Sequence, residues 1–305
     1  MNRSRLCFTL FTVALVALLA VPAAHAQTRT WVSGVGNDAN PCSRTAPCKT
    51  FAGALAVTAA GGEISVLDPG GFGAVTITKS ITISGDGTLA GILAAGTNGI
   101  IVNAGANDKV IIRSLSIHGA GSGISGIRYL AGGQVTVENV TISGFQANVN
   151  SRGIDVNLTS TGELIVHDTT ITDCEGGVKL TTSAGTLQAT LDNVRIDSTD
   201  GHAVEALANT TADINHSNFS HNFNAGVRTA AATAVANVED TVLAFNNAGI
   251  NAAIAGSRIR ISDATIVNNV TGITFAVGAF VDSSGDNRVD GNGASTPPNG
   301  VYNVE

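Results

Sequence analysis

Two sets of residues with chemical potential recur at intervals that neither a helix nor a single hairpin would produce. Arg128, Asp155, Lys179, Glu205 and Arg228 follow one another 23 to 27 residues apart and alternate in sign. Arg113, Glu138, His167, Asp192, Asn215, Glu239 and Ser262 follow at 23 to 29 residues. If each set stacks into a row, the first offers Arg128 and Lys179 to grip the carboxylates of an acidic polysaccharide. Asp155, Glu205 and Arg228 would complete that binding row. A base among them could take the proton α to a uronate carboxyl while the cations steady the enolate. In the second row His167 would lie between Glu138 and Asp192. Two carboxylates would raise its pKa, and Glu138 with Asp192 would also suit an oxygen-rich Ca²⁺ site. The candidate catalytic residues are therefore His167, Lys179 and Arg128. Each row has a plainer reading. Alternating charges neutralise one another as a salt-bridge ladder, and scattered charges mark a solvated face.

Both rows require successive segments to lie over one another, and the chain carries the signature of such stacking. FNNAGI at Phe245–Ile250 returns as VNNVTGI at Val267–Ile273 and has an earlier cousin in HNFNAGV, His221–Val227. Gly226, Gly249 and Gly272 are 23 residues apart. A fixed period of that size implies a repeat architecture. Units open at GIIVN, GIRYL, GIDVN, GVKLT, GVRTA, GINAA and GITFA. A second phrase runs between them: IIRSLSI, VTVENVTI, LIVHDTTI, ATLDNVRI and RIRISDATI. Both phrases alternate apolar and polar residues, the period of a strand with one buried face.

Short strands in units of 23–27 residues without helices predict an all-β, single-stranded right-handed parallel β-helix, its coils about 4.8 Å apart. Ile117, Ile142, Ile171, Ile196, Phe219, Leu243 and Ile266 then form an inward apolar row. Three residues earlier, Ser114, Asn139, Asp168, Asn193, His216, Asp240 and Asp263 form a polar row suited to a corner. Three residues later, Asn222, Asn246 and Asn269 should bond along the axis as an amide ladder. The glycine behind each asparagine is expected to supply a positive φ. Cys174 occupies the ladder slot of an earlier coil and reads as a small buried thiol.

WVSGVGNDANPCSRTAPCKTFAGAL, then GGEISVLDPGGFGAVTITKSITISG, the coils and the late GDNRVDGNG together resemble bacterial exported right-handed β-helix repeat proteins of the pectate-lyase-like fold. The resemblance covers essentially the whole chain after its leader. It implies the fold and not an activity, because that fold carries lyases, hydrolases, epimerases and adhesins. The polygalacturonase pattern is reduced to Gly201-His202 and Arg258-Ile259-Arg260, with no adjacent Asp-Asp pair. The Asp-Pro-His phrase of alginate epimerases is broken, since Asp68-Pro69 is followed by Gly70.

The first 26 residues have a basic start, a short apolar run and an Ala-x-Ala end, the pattern of a secretory signal peptide. Loss of Arg3 and Arg5 with this leader would take the net charge from −7 to −9. That balance speaks against nucleic acid and anionic membranes as partners, and no second apolar run is long enough to insert in a membrane. Cys42 and Cys48, in a Pro-bounded loop of an exported chain, are expected to form a small disulfide. The expected organisation is a leader over 1–26, then a strand, disulfide loop and capping helix over 27–62. Coils follow over 63–290 and a tail over 291–305. The one plausible helix is Lys49–Gly62, which should plug the N-terminal end, where an open solenoid exposes its hydrogen-bonding edge. Pro297–Pro298 should end strand pairing. Aromatic residues are 4% of the chain, Trp31 is the single tryptophan, and Tyr129 should face inward. Few ring platforms are left for tight sugar binding.

The sequence thus points to a periplasmic or extracellular β-helix with three function classes open. The first is a non-catalytic protein binding carbohydrate or displayed at the envelope. The second is a polysaccharide lyase or related enzyme on acidic glycans, with Ca²⁺ as the candidate cofactor. The third is a structural or adhesive surface protein.

Overall fold

The computed structural model describes residues 27–303, so the leader expected over 1–26 lies outside the described residues. The chain is a right-handed parallel β-solenoid of about nine turns. Each turn passes through three sheets in the same order. Gly162–His167 lies in the first sheet, Thr170–Thr172 in the second and Val178–Thr182 in the third, and Leu187–Asp192 returns to the first. The sheets contain twelve, ten and nine strands, and every named strand pair is parallel.

The alternating phrases produce this because each strand buries one side and its neighbours repeat the choice. Ile142, Ile171, Ile196, Phe219, Leu243 and Ile266 pair in register and are completely buried. At about 25 cal/mol per Å² of apolar surface, such continuous stacks are the main stabilising force. Tyr129 is fully buried, and its hydroxyl donates to the Gly132 carbonyl at 2.7 Å.

The polar corner row bends the chain between the first and second sheets. Ser114, Asn139, Asp168, Asn193, His216, Asp240 and Asp263 all have left-handed backbone, with φ between 40° and 56°. Asn and Asp tolerate that region because their short polar side chains bond locally. The amide ladder forms as expected. Asn222 Nδ2 donates to Asn246 Oδ1 at 2.9 Å, and Asn246 Nδ2 to Asn269 Oδ1 at 3.1 Å. Asn292 extends it by another coil, accepting from Asn269 Nδ2 at 3.0 Å. Cys174 is buried, and its thiol pKa is pushed up to about 12, chiefly by burial.

The glycines behind the ladder have a different role from the one expected. Gly226, Gly249 and Gly272 are not in the left-handed region; the residue before each asparagine is, as at His221, Phe245 and Asn268. Instead they allow close approach. A Cβ on Gly249 would lie 2.5 Å from Ile266 Cγ2 and 2.7 Å from the Gly272 carbonyl oxygen.

Both ends also depart from expectation. The helix is only Phe51–Val57, with Thr50 as its N-cap, and it packs on Gln27–Val32, Thr58–Val66 and Val75–Ile77. From Thr58 the chain is a strand paired with Gln27–Val32. Thr58 Oγ1 donates back to the Ala54 carbonyl, and Gly61 takes a φ of 74°, so the segment leaves helical geometry early. Near the other end pairing resumes after the two prolines: Gly300–Val301 joins Phe280–Ser283. The prolines lack amide hydrogens, but Asn299 and Tyr302 behind them donate theirs to the Val281 and Ser283 carbonyls. Cys42 and Cys48 are joined as a disulfide.

Candidate functional site

The outward face of the third sheet carries the first charged row in the expected order. Arg128 pairs with Asp155, Asp155 with Lys179, Lys179 with Glu205, and Glu205 with Arg228 along adjacent strands. Asp155 lies between two cations, 3.7 Å from Arg128 Nε and 3.8 Å from Lys179 Nζ. Glu205 forms its ion pair with Arg228. Both carboxylates are buried, at 8% and 9% exposure, while Arg128, Lys179 and Arg228 reach solvent. The Asp155 contacts are long for charged hydrogen bonds. Asp155 Oδ1 and Arg128 Nε are buried and have no hydrogen-bond partner.

Two further residues belong to this face, and the row alone did not point to them. Arg152 lies three positions before Asp155, and His202 three before Glu205; Gly176 holds the same offset from Lys179. The glycine leaves the space that Arg152 fills, since a Cβ there would meet Arg152 Cδ at 2.7 Å. The Arg152 guanidinium is turned onto its own loop, donating to the Val149 and Ser151 carbonyls. His202 Nδ1 accepts from the Ala225 amide at 3.1 Å. Burial lowers the His202 pKa to about 4; Glu205 opposes the shift, and Arg228 and Arg152 reinforce it. The imidazole is therefore neutral near pH 7. Reading the column at that offset would have flagged both side chains.

The strands of this sheet carry four cations, Arg128, Arg152, Lys179 and Arg228, against two carboxylates, Asp155 and Glu205. A cationic surplus thus stands on an acidic protein. The row itself forms the expected ladder of ion pairs, Arg128 and Lys179 on Asp155 and Arg228 on Glu205.

The second row keeps its backbone register but not its expected side-chain grouping. Glu138, His167 and Asp192 are successive neighbours in the first sheet. The His167 ring nevertheless turns to Asp168, with Nδ1 3.3 Å from Oδ2. Asp192 turns to His216, at 2.7 Å. The left-handed corner residues Asp168 and His216 bring their side chains back beside the row and capture its members. The carboxylate–histidine–carboxylate arrangement expected at His167 is found at His216, whose Nε2 is 3.6 Å from Asp240. Asp192 is the largest cause of the raised His216 pKa. Among the described residues no group of three or more His, Cys, Asp or Glu side chains is placed to hold a metal ion. Glu138 and Asp192, the pair suited to Ca²⁺ in the sequence, lie two strands apart with His167 between them, and Asp192 is turned to His216.

The three candidate catalytic residues are also separated. His167 ends its first-sheet strand, whereas Lys179 and Arg128 lie in the third sheet. Between His167 and Lys179 the chain crosses the second sheet through Thr170–Thr172 and turns twice. These residues do not converge on one reacting atom.

No family profile matches the sequence, and no curated protein matches it. Among solved structures, the pectate lyase Pel9A superposes with a TM-score of 0.52 at 15% identity, over 90% of this chain and 77% of that one. The A-module of the Azotobacter vinelandii mannuronan C-5 epimerase AlgE4 gives 0.49 at 12% identity, over 80% and 91%. The GH136 lacto-N-biosidase from Eubacterium ramulus gives 0.44 at 12% identity, over 90% and 68%. The protein is thus a parallel β-helix of the pectate-lyase-like fold. At these identities the likeness is one of fold.

Proposed function

We propose that this protein is an exported, non-catalytic β-helix that binds acidic carbohydrate on its third-sheet face, with the helix Phe51–Val57 capping the N-terminal end. The observation that carries the reading is the cationic surplus on that face, set over two buried carboxylates. The side chains of Arg128, Lys179 and Arg228 are partly exposed, so a uronate carboxylate can compete for their charge. The neutral His202, whose Nδ1 is taken by the Ala225 amide, leaves its Nε2–H to donate to a sugar oxygen. The separation of His167 from Lys179 and Arg128 favours binding over turnover. The bound glycan would belong to the cell envelope or its surroundings.

Calorimetric titration with polygalacturonate and alginate oligomers, with and without Ca²⁺, tests this reading alongside ultraviolet detection of unsaturated uronates. Binding without product is expected, weakened about tenfold in Lys179→Ala, as the loss of about 1.4 kcal/mol implies. Turnover that disappears in Lys179→Ala would replace the reading with a lyase. Silence in both measurements would leave the structural or adhesive class.

A further inference from the structure

Phe245 is an exception in its own column. The corner between the second and third sheets repeats a left-handed residue at Ala120, Gly144, Asp173, Ser198, His221, Phe245 and Asn268. Gly, Asn and Asp tolerate this region, whereas a bulky aromatic there is a backbone outlier. Phe245 has a φ of 59° and leaves its side chain in solvent, at 53% exposure. An asparagine, as at Asn268, would relieve both disadvantages. Local strain combined with an exposed ring is a cost that folding does not require, and such costs gather at functional positions.

The surroundings of the ring suggest its use. Phe223, 74% exposed, stands one coil earlier, and Val270, 66% exposed, one coil later. These three side chains line a single concavity of about 720 Å³ together with the exposed polar groups of Asp200, Asn247 and Asn268. The ring is also held. His221 stacks on Phe245 with centroids 5.0 Å apart and planes 15° apart. Asp197 anchors the imidazole through Nδ1 at 3.3 Å and is itself paired with Arg195 at 3.0 Å.

We propose that this corner is a second binding site, for an uncharged pyranose oligosaccharide. Apolar ring faces with a few fixed polar groups at the margin are the usual composition of a small-molecule site. A pyranose presents apolar C–H faces to such rings and hydroxyls around its rim. Amides donate and accept, and a carboxylate accepts twice, so Asn247, Asn268 and Asp200 can meet hydroxyls that do both. The lining includes one carboxylate and no lysine or arginine, which disfavours an anionic sugar. The site is independent of the charged third-sheet face.

The test uses the chain without its leader, titrated with cellohexaose, mannohexaose and maltohexaose, and monitors the His221 ring proton by NMR alongside calorimetry. The wild type should bind at least one of them and perturb His221. Phe245→Asn and Phe223→Ser should each weaken binding tenfold or more. Phe245→Asn should also leave the melting temperature unchanged or raise it, which a structural phenylalanine would not do. Failure of all three sugars to bind would overturn the proposal, as would unchanged affinity in Phe245→Asn or a lowered melting temperature in that variant. Acidic-glycan binding should persist in Phe245→Asn, and neutral-glycan binding in Lys179→Ala, so the two sites stand or fall separately.

Discussion

Asn269 Oδ1 accepts two hydrogen bonds from Asn246, one from the side-chain Nδ2 at 3.1 Å and one from the backbone amide at 2.9 Å. Asn246 Oδ1 does the same for Asn222, at 2.9 and 3.0 Å. Each asparagine Nδ2 also donates to the carbonyl of an inward residue in the coil before it, as Asn246 does to Phe219 at 3.0 Å. The asparagine column thus ties neighbouring coils by side chain and backbone together, at nearly complete burial.

Replacing Asn246 by alanine removes the partner of the buried Asn222 backbone amide and takes one hydrogen bond each from Asn222 Nδ2, the Phe219 carbonyl and Asn269 Oδ1. Unsatisfied buried groups cost about 1–3 kcal/mol each before relaxation, so Asn246→Ala should destabilise the protein by about 3 kcal/mol or more. Asn246→Asp should be worse, because a carboxylate would face the Asn269 oxygen and the Phe219 carbonyl. Urea unfolding at neutral pH measures both.

Gly249 tests the close-approach role. A methyl group there would press on Ile266 and on the Gly272 carbonyl. Gly249→Ala should cost about 1–3 kcal/mol, the range for overpacked cores. Gly71→Ala meets open space and should be nearly neutral. Equal effects in the two variants would contradict the packing argument.

His202 gives stability a pH slope at mildly acidic pH. Its folded pKa, about 4, is below its ordinary 6.5, so between those values the unfolded chain binds a proton that the folded chain refuses. Stability from this residue is complete above about pH 6.5 and falls as pH drops towards 4, by on the order of 3 kcal/mol. His202→Gln should flatten that part of the stability profile measured by chemical denaturation.

His216 acts with the opposite sign. Its pKa is raised by the Asp192 hydrogen bond and by the charges of Asp192, Asp240 and Glu239, so the folded state favours the protonated ring. This contribution is present below pH 6.5 and disappears as pH rises through the raised value. An NMR titration should place the His216 midpoint above 6.5, and Asp192→Asn should return it towards the ordinary value.

Cys174 illustrates what could be read directly. Its ladder slot predicts a buried thiol, and the structure buries it completely. The same holds for Ile171 and Asn246, because parallel pairing in register makes residues one coil apart into contacts along a single axis. The row from Arg128 to Arg228 was legible for that reason. Arg152 and His202 do not fall in that row because they stand at the margin of the strands, where the alternation that assigns faces breaks at a corner.

The sequence by itself therefore determined the solenoid, its stacked rows, the amide ladder and the order of charges along each face. All of these depend on repeat length and on period-two alternation, which strand pairing turns into neighbourhood without further information. Only the tertiary structure decided how side chains swing about the axis. It turned His167 to Asp168 rather than to Glu138 and Asp192, set His167 and Lys179 on different faces, and held Phe245 outward beside Phe223. Those outcomes rest on corner torsions and on competition among nearby partners, and a repeat interval encodes neither.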